Sequence, residues 1–146
     1  MSLIENRKVY FNYEILEKLD AGIELFGFEV KSLRKGQGSL DGAHVTIRGR
    51  EAFLIGANIP PFQPANTAND YNPERNRKLL LTKKEIIDLQ DTEKQRGLTI
   101  VPISVYNKGR NLKLVLGIAK GKKKFDKRAT TKKREVDREI RREMKG

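Results

Sequence analysis

Residues 97–119, GLTIVPISVYNKGRNLKLVLGIA, constrain the fold of this chain more than any other stretch. Two apolar runs, TIVPISVY and NLKLVLGIA, are separated by the Asn107-Lys108-Gly109 turn. Runs rich in β-branched residues that meet at an Asn/Gly turn form antiparallel hairpins. In the first run Ile100, Pro102 and Ser104 face opposite Val101, Ile103 and Val105. Pro102 has no N–H to give to a ladder, so its strand is expected at a sheet edge or at a bulge.

The rest of the first 118 residues reads in the same way. Val45 and Ile47 alternate with Thr46 and Arg48, Arg48-Gly49-Arg50 turns, and residues 52–57 return as a second hairpin. RKLLL, residues 77–81, is a short buried strand. Thr82-Lys83-Lys84-Glu85 behind it has the spacing of a capping box, which predicts a helix from Lys83 to Arg96 with Gly97 as its stop. Upstream, Tyr13, Ile15 and Leu19 suggest a strand bending at Ala21-Gly22, followed by a short helix through Leu25, Phe28, Val30 and Leu33 that ends at Gly36. Residues 3–12 are polar enough to be a flexible lead-in. IPPFQPANTANDYNPERN, residues 59–76, holds four of the five prolines and reads as an irregular loop. The expected fold is therefore mainly β with short flanking helices: a small, mostly antiparallel barrel over residues 1–118, a class of which the oligonucleotide-binding (OB) barrel is one member, followed by a basic tail, 119–146.

That tail carries most of the charge. The chain has 31 Lys+Arg against 19 Asp+Glu, a formal +12. Residues 119–146 contribute 13 basic and 5 acidic side chains, or +8, and the other 118 residues +4. A basic excess gathered at one end is the footprint of a polyphosphate partner, since each neutralised phosphate releases counterions; a merely solvating tail is the alternative. Val136, Ile140 and Met144 form a narrow apolar stripe at helical spacing, and Asp137 and Arg141 an i,i+4 pair. The stripe is too thin to dock and its like charges repel, so the tail is expected to be disordered alone and helical on a polyanion. With no Trp and one Phe in it, a membrane partner is not expected. No run of about 18 apolar residues is present, the first residues lack the pattern of a secretory signal, and there is no Cys; the expectation is a cytoplasmic protein, monomeric in solution.

Catalysis has few places to reside. The chain has one His and no Cys, so zinc, Cys–His and Ser–His–Asp sites are hard to assemble. His44 lies on the polar side of its strand. Gly36, Gly38 and Gly42 lack the Lys-Ser/Thr that a P-loop requires. Asp70 and Glu74, four apart in an Asn/Pro loop, read as a solvated turn. The expectation is a binding protein and not an enzyme, with no metal and no cofactor.

Four segments then carry a family resemblance: DAGIELFGFEVKSLRKG (residues 20–36), NPERNRKLLL (72–81), GLTIVPISVY (97–106) and GIAKGKKKFDKR (117–128). In this order and spacing the chain resembles the small protein B family, the SsrA-binding proteins of bacterial trans-translation, from about Asn6 to Arg142. The resemblance implies an OB-like barrel that binds the tRNA-like domain of transfer-messenger RNA (tmRNA) and accompanies that RNA into the A site of stalled ribosomes. It also implies a C-terminal tail that becomes helical in the empty mRNA channel. By position, the family's RNA-facing residues fall on Asn6, Asp20 and Leu80, with Arg7 and Lys8 beside Asn6 in the same NRK element. Asn6 and Asp20 offer directed hydrogen bonds, and Leu80 an apolar surface for an unstacked base. The family more often has Glu where Asp20 stands; the acceptor chemistry is kept. Lys31, Arg34, Lys35 and Lys78, with Arg75 or Arg77, are expected phosphate contacts, whereas Glu29 and Ser32 are candidates for satisfying the fold. In the tail, Asp126-Lys127-Arg128 matches the family's DKR element, and Phe125 is placed to stack on a base of the decoding centre. Lys122, Lys123, Lys124, Lys132, Lys133 and Arg134 are expected along small-subunit rRNA. Physics alone also allows a structural ribosomal protein with a barrel body and a basic extension.

Overall fold

The computed structural model describes residues 2–63 and 70–122. Among these residues seven strands and three helices follow in chain order: β1 Ser2–Glu5, α1 Val9–Asn12, β2 Tyr13–Ile23, α2 Gly27–Arg34, β3 His44–Arg48, β4 Glu51–Ile55, β5 Arg77–Leu80, α3 Lys83–Lys94, β6 Leu98–Lys108 and β7 Asn111–Gly121. All pairings are antiparallel, in the order β1-β6-β7-β2-β5-β4-β3. The order is linear, so no ladder closes the sheet into a barrel. It curls until β3 packs against β6, with α3 laid across both. On the exposed edge, the Ile47 N–H donates to the Glu93 carboxylate of α3 at 2.6 Å, which occupies a donor that a stray strand would otherwise use.

The predicted hairpins form, β6–β7 from Leu98↔Lys120 to Lys108↔Asn111 and β3–β4 from His44↔Ile55 to Arg48↔Glu51. At the start of α3 the Thr82 hydroxyl accepts from the Glu85 N–H at 3.2 Å and the Glu85 carboxylate from the Thr82 N–H at 2.9 Å, the reciprocal pair that its spacing required. Gly36 and Gly97, at φ +74° and +87°, lie beyond the two predicted helix ends.

One expectation is corrected. Residues 3–12 are not a flexible lead-in: β1 pairs with β6, and Ile4 and Val9 are buried on opposite sides of the sheet. Of the two places expected for Pro102 the chain uses the bulge, a register shift between Pro102 and Ser104, since β6 is no edge but has β1 on one side and β7 on the other. The register of β2 shifts between Ile15 and Glu17; Ala21 and Gly22 both stay paired to β7, and Gly22 pairs with Leu80 of β5 as well.

The bulge in β6 has a consequence for packing. Ile100 belongs to the main core while Val101 and Ile103 belong to a smaller cluster with Val9 and Ala119, yet Val105, of the same parity as Ile103, is back in the main core. One extra residue shifts the side-chain alternation, so one strand feeds two apolar clusters. The main core, with Ala21, Leu54, Leu79, Leu114 and Leu116, fills one face of the sheet. The other face carries the small cluster at one end and is otherwise open.

Candidate nucleic-acid interface

That open face holds five of the sequence-predicted residues, Asn6, Arg7, Asp20, Lys78 and Leu80. On β2, Leu19, Ala21 and Ile23 point to the main core, so Lys18, Asp20 and Gly22 point outward. On β5, Leu79 is buried and Lys78 and Leu80 point outward, Leu80 opposite Gly22. A groove of about 600 Å³ is lined by Asp20, Gly22, Arg50, Lys78, Leu80 and Lys113 together with the start of α3. Leu80 is 52% exposed. A leucine held in a strand but left in water offers an apolar plane without needing to move. Gly22 is the close-approach position beneath it: a Cβ there would stand 3.0 Å from Leu80 Cβ, so only glycine leaves the leucine where it is.

The groove is not simply basic. Its cations Arg50, Lys78 and Lys113 share the lining with Asp20, Glu51 and Glu85. Each carboxylate has a partner: Lys78 lies 3.3 Å from Glu51, Glu85 caps α3, and Asp20 accepts from the Tyr106 hydroxyl. An exposed pair such as Lys78–Glu51 contributes about 0–1 kcal/mol, so Lys78 can exchange it for a phosphate at little cost.

Asn6, with Arg7, lines a neighbouring hollow of about 470 Å³ on the same face, beside Tyr10, Lys18, Ser104 and Val115. Its side-chain N–H donates to the Pro102 carbonyl at 3.0 Å and its backbone N–H to Ile103 O at 2.8 Å, so Asn6 also holds the bulge. Lys18 Nζ stands 5.3 Å from the centre of the Tyr10 ring. Lys8, beside Asn6, is exposed and lines a different hollow that His44 also reaches. Lys31, Arg34 and Lys35 are exposed at the end of α2, whose Leu33 packs into the main core on the opposite face. They do not line the groove, and Arg34 donates to the Arg110 carbonyl at 3.0 Å.

Arg77 is a correction. It is not available to a phosphate: its side chain is 0% exposed and ion-paired to Glu29, also 0% exposed. The guanidinium donates from Nε and Nη2 to Glu29 Oε2 at 3.0 and 2.7 Å, from Nη1 to the carbonyls of Ala57 and Arg75, and from Nη2 to Tyr71 Oη and the Pro73 carbonyl. Arg75 is partly exposed but committed as well. It ion-pairs with Glu29, and its guanidinium carbon lies 4.1 Å from the centre of the Phe26 ring. Glu29 completes the set by accepting from the Phe26 N–H at 2.7 Å and from Tyr71 Oη at 2.8 Å. Burial alone would raise the Glu29 carboxyl; the hydrogen bonds from Arg75, Phe26, Tyr71 and Arg77 outweigh it and hold the group below the ordinary range. The same site pushes the Tyr71 phenol up to about 12, first through burial and then through the Glu29 carboxylate. This network ties α2 and residues 71–77 to β5, so it fixes where Lys78 and Leu80 emerge. Ser32, donating to the Pro60 carbonyl at 2.6 Å, is likewise spent on the fold.

Of residues 119–146, the first four are described: 119–121 are the end of β7, with Ala119 buried, and beyond them the Lys122 N–H donates to Asn12 O at 2.9 Å and its ammonium to Tyr10 O at 2.8 Å, so the chain leaves β7 beside the Asn6 hollow. Lys123, Lys124, Phe125, Asp126, Lys127, Arg128, Lys132, Lys133 and Arg134 lie outside the described residues. Among the described residues no three His, Cys, Asp or Glu side chains stand close enough to hold a metal ion, and no helix is long and apolar enough to cross a membrane.

Comparison with known proteins decides the family. The SmpB protein family model matches residues 3–146. The chain belongs to the SmpB family. Among its relatives, the SsrA-binding protein of Prochlorococcus marinus subsp. pastoris is 47% identical over 143 residues, covering 98% of this chain and 82% of that one. The SsrA-binding protein of Paraburkholderia xenovorans is 46% identical over 145 residues, covering 99% and 98%. A solved structure presented as "tmRNA-SmpB: a journey to the center of the bacterial ribosome" superposes with a TM-score of 0.70 at 43% identity, over 82% of this chain and 84% of that chain.

Proposed function

We propose that this chain is a non-enzymatic adaptor of ribosome rescue: it binds the tRNA-like domain of tmRNA with the open face of its sheet and carries that RNA to stalled ribosomes in the bacterial cytoplasm. The observation that carries the reading is the groove in which Asp20, Lys78 and an exposed Leu80 converge, in a chain whose relatives are SsrA-binding proteins. A groove with balanced charge attracts RNA weakly by itself. Its contribution is directional: Leu80 takes the face of an unstacked base, Asp20 accepts from a base or ribose donor, and Lys78 and Lys113 meet flanking phosphates. The folded body runs to the end of β7 at Gly121 rather than stopping at 118, and the basic excess of the sequence beyond it supports two separable tasks, RNA binding by the body and probing of the empty mRNA channel by the tail.

Equilibrium binding of the full chain to a transcript of the tRNA-like domain, against an ordinary elongator tRNA, tests the first task. Preference for the tmRNA transcript supports the adaptor. Equal, weak binding to both, with the chain retained on ribosomes through a high-salt wash, would replace it with a structural ribosomal protein. For the second task, Lys127→Ala with Arg128→Ala leaves affinity for the transcript nearly unchanged and abolishes peptide tagging on stalled ribosomes; a large loss of affinity overturns that division.

A further inference from the structure

Asp20 does not stand alone in the groove. The Tyr106 hydroxyl donates to Asp20 Oδ2 at 2.9 Å, although β7 runs between their strands: Asp20 is opposite Val115 on one side, and Tyr106 opposite Lys113 on the other. Two strand spacings, roughly 9.6 Å, separate the backbones of β2 and β6. A phenol spans that distance above the sheet, and the hydroxyl of Ser or Thr would not. The parity shift at the Pro102–Ser104 bulge is what brings Tyr106 to this face, since Val105 beside it points into the main core.

We propose that Tyr106 is a positioning residue for RNA recognition, holding the Asp20 carboxylate so that Oδ1 faces a nucleotide lying against Leu80 and accepts from an N–H or 2′-OH donor on it. This inference rests on the RNA-binding role proposed for the groove. A free aspartate on an exposed strand samples several rotamers and must be ordered at the moment of binding, which weakens the contact it makes. The Tyr106 bond orders it beforehand. An ionised carboxylate is acceptor-only, with room on each oxygen for two bonds, so donating to Oδ2 leaves Oδ1 fully open. The ligand class follows: a nucleotide presenting a donor at this point is favoured over one presenting a carbonyl, because a carbonyl facing the carboxylate repels it and leaves both desolvated. The bond also raises the Tyr106 phenol above the ordinary tyrosine range, chiefly through the Asp20 acceptor, so the hydroxyl stays a donor throughout the physiological pH range. Sequence reading had not singled out Tyr106, because only the bulge and two strand registers bring it to Asp20.

The test is a double-mutant cycle on the full chain with a transcript of the tRNA-like domain, using Tyr106→Phe, Asp20→Ala and both together, at two salt concentrations. Tyr106→Phe keeps the ring and removes only the donor, so the thermal midpoint stays at the wild-type value. We expect it to weaken binding about 3- to 10-fold, the scale of one ordered hydrogen bond. In the Asp20→Ala background the same change has no further effect, and the salt slope is the same in all four proteins because no phosphate contact is touched. Wild-type affinity for Tyr106→Phe overturns the inference. So does an equal loss in both backgrounds, which would make the hydroxyl a direct RNA contact. If Asp20→Ala itself binds as wild type, the RNA-binding role of the groove fails, and the inference with it.

Discussion

Replacing Arg77 by Met distinguishes a buried cation from a phosphate contact more sharply than any other change in this molecule. Methionine nearly matches its length and removes six hydrogen bonds, two of them to the Glu29 carboxylate. Glu29, wholly buried, keeps only Arg75, Tyr71 and the Phe26 N–H. Breaking a buried pair by removing one partner costs about 3–5 kcal/mol, because the remaining charge is left under-compensated. With an unfolding entropy near 2.1 cal/mol/K per residue, a folded body of about 118 residues loses roughly 4 °C for each kcal/mol, so the thermal midpoint should fall by about 12–20 °C. Circular dichroism melts at low and moderate salt measure this, and the loss should hardly depend on salt, since buried pairs are weakly screened. RNA affinity of whatever remains folded should keep its salt slope. A variant within about 0.5 kcal/mol of wild type whose RNA salt slope drops by about 1 would refute the reasoning and make Arg77 the phosphate contact that its sequence context suggested.

Four further outcomes follow from the same geometry. Leu80→Ala should leave the thermal midpoint nearly unchanged, because half of the side chain is already in water, while weakening binding to the tRNA-like domain by about 1–3 kcal/mol if a base stacks there; equal affinity in a binding titration would exclude that role. Gly22→Ala drives a Cβ to 3.0 Å from Leu80 Cβ and should destabilise the body by about 1–3 kcal/mol in urea melts, as overpacking does. The Glu29 carboxyl is held below its ordinary value of 4.5, so its contribution to stability is present above about pH 4.5 and is lost as pH falls below it. The Tyr71 phenol, raised from 10.0 to about 12, stabilises the fold below pH 10 and loses that contribution as pH rises through about 12; Tyr71→Phe should flatten the alkaline limb of a stability–pH profile and leave the acid limb in place.

How legible all this was in the sequence depended on how local the governing interaction is. The Thr82–Glu85 capping box and the two hairpins are settled within a few residues, and the chain adopts them as read. Segment 3–12 misled because its apolar residues are sparse; Ile4 and Val9 become core only once β6, about 100 residues away, arrives beside them. Arg77 misled for the same reason. A basic residue ahead of three leucines looks like a surface contact until a glutamate 48 positions earlier neutralises it. Asp20 and Leu80 are singled out in the sequence by family resemblance and Lys78 by its charge, and the groove brings the three together; Arg50, Lys113 and Tyr106, which surround them, carry no motif and are placed by the fold alone.

The strand order also dictates when this protein can become itself during synthesis. Ser2 waits for Tyr106, and Tyr13 for Gly121, so the N-terminal strands leave the ribosome long before their partners exist. The segment from β3 to α3 is contiguous in the chain and can form β3–β4–β5 early. The sheet is completed only when the last hairpin emerges, and closing contacts of such long sequence separation is slow. A truncated chain lacking β7 would lose the central strand between β6 and β2, and with it both the Asp20 groove and the route by which Tyr106 reaches it. Translation through β7 is therefore a precondition for assembling the groove at all.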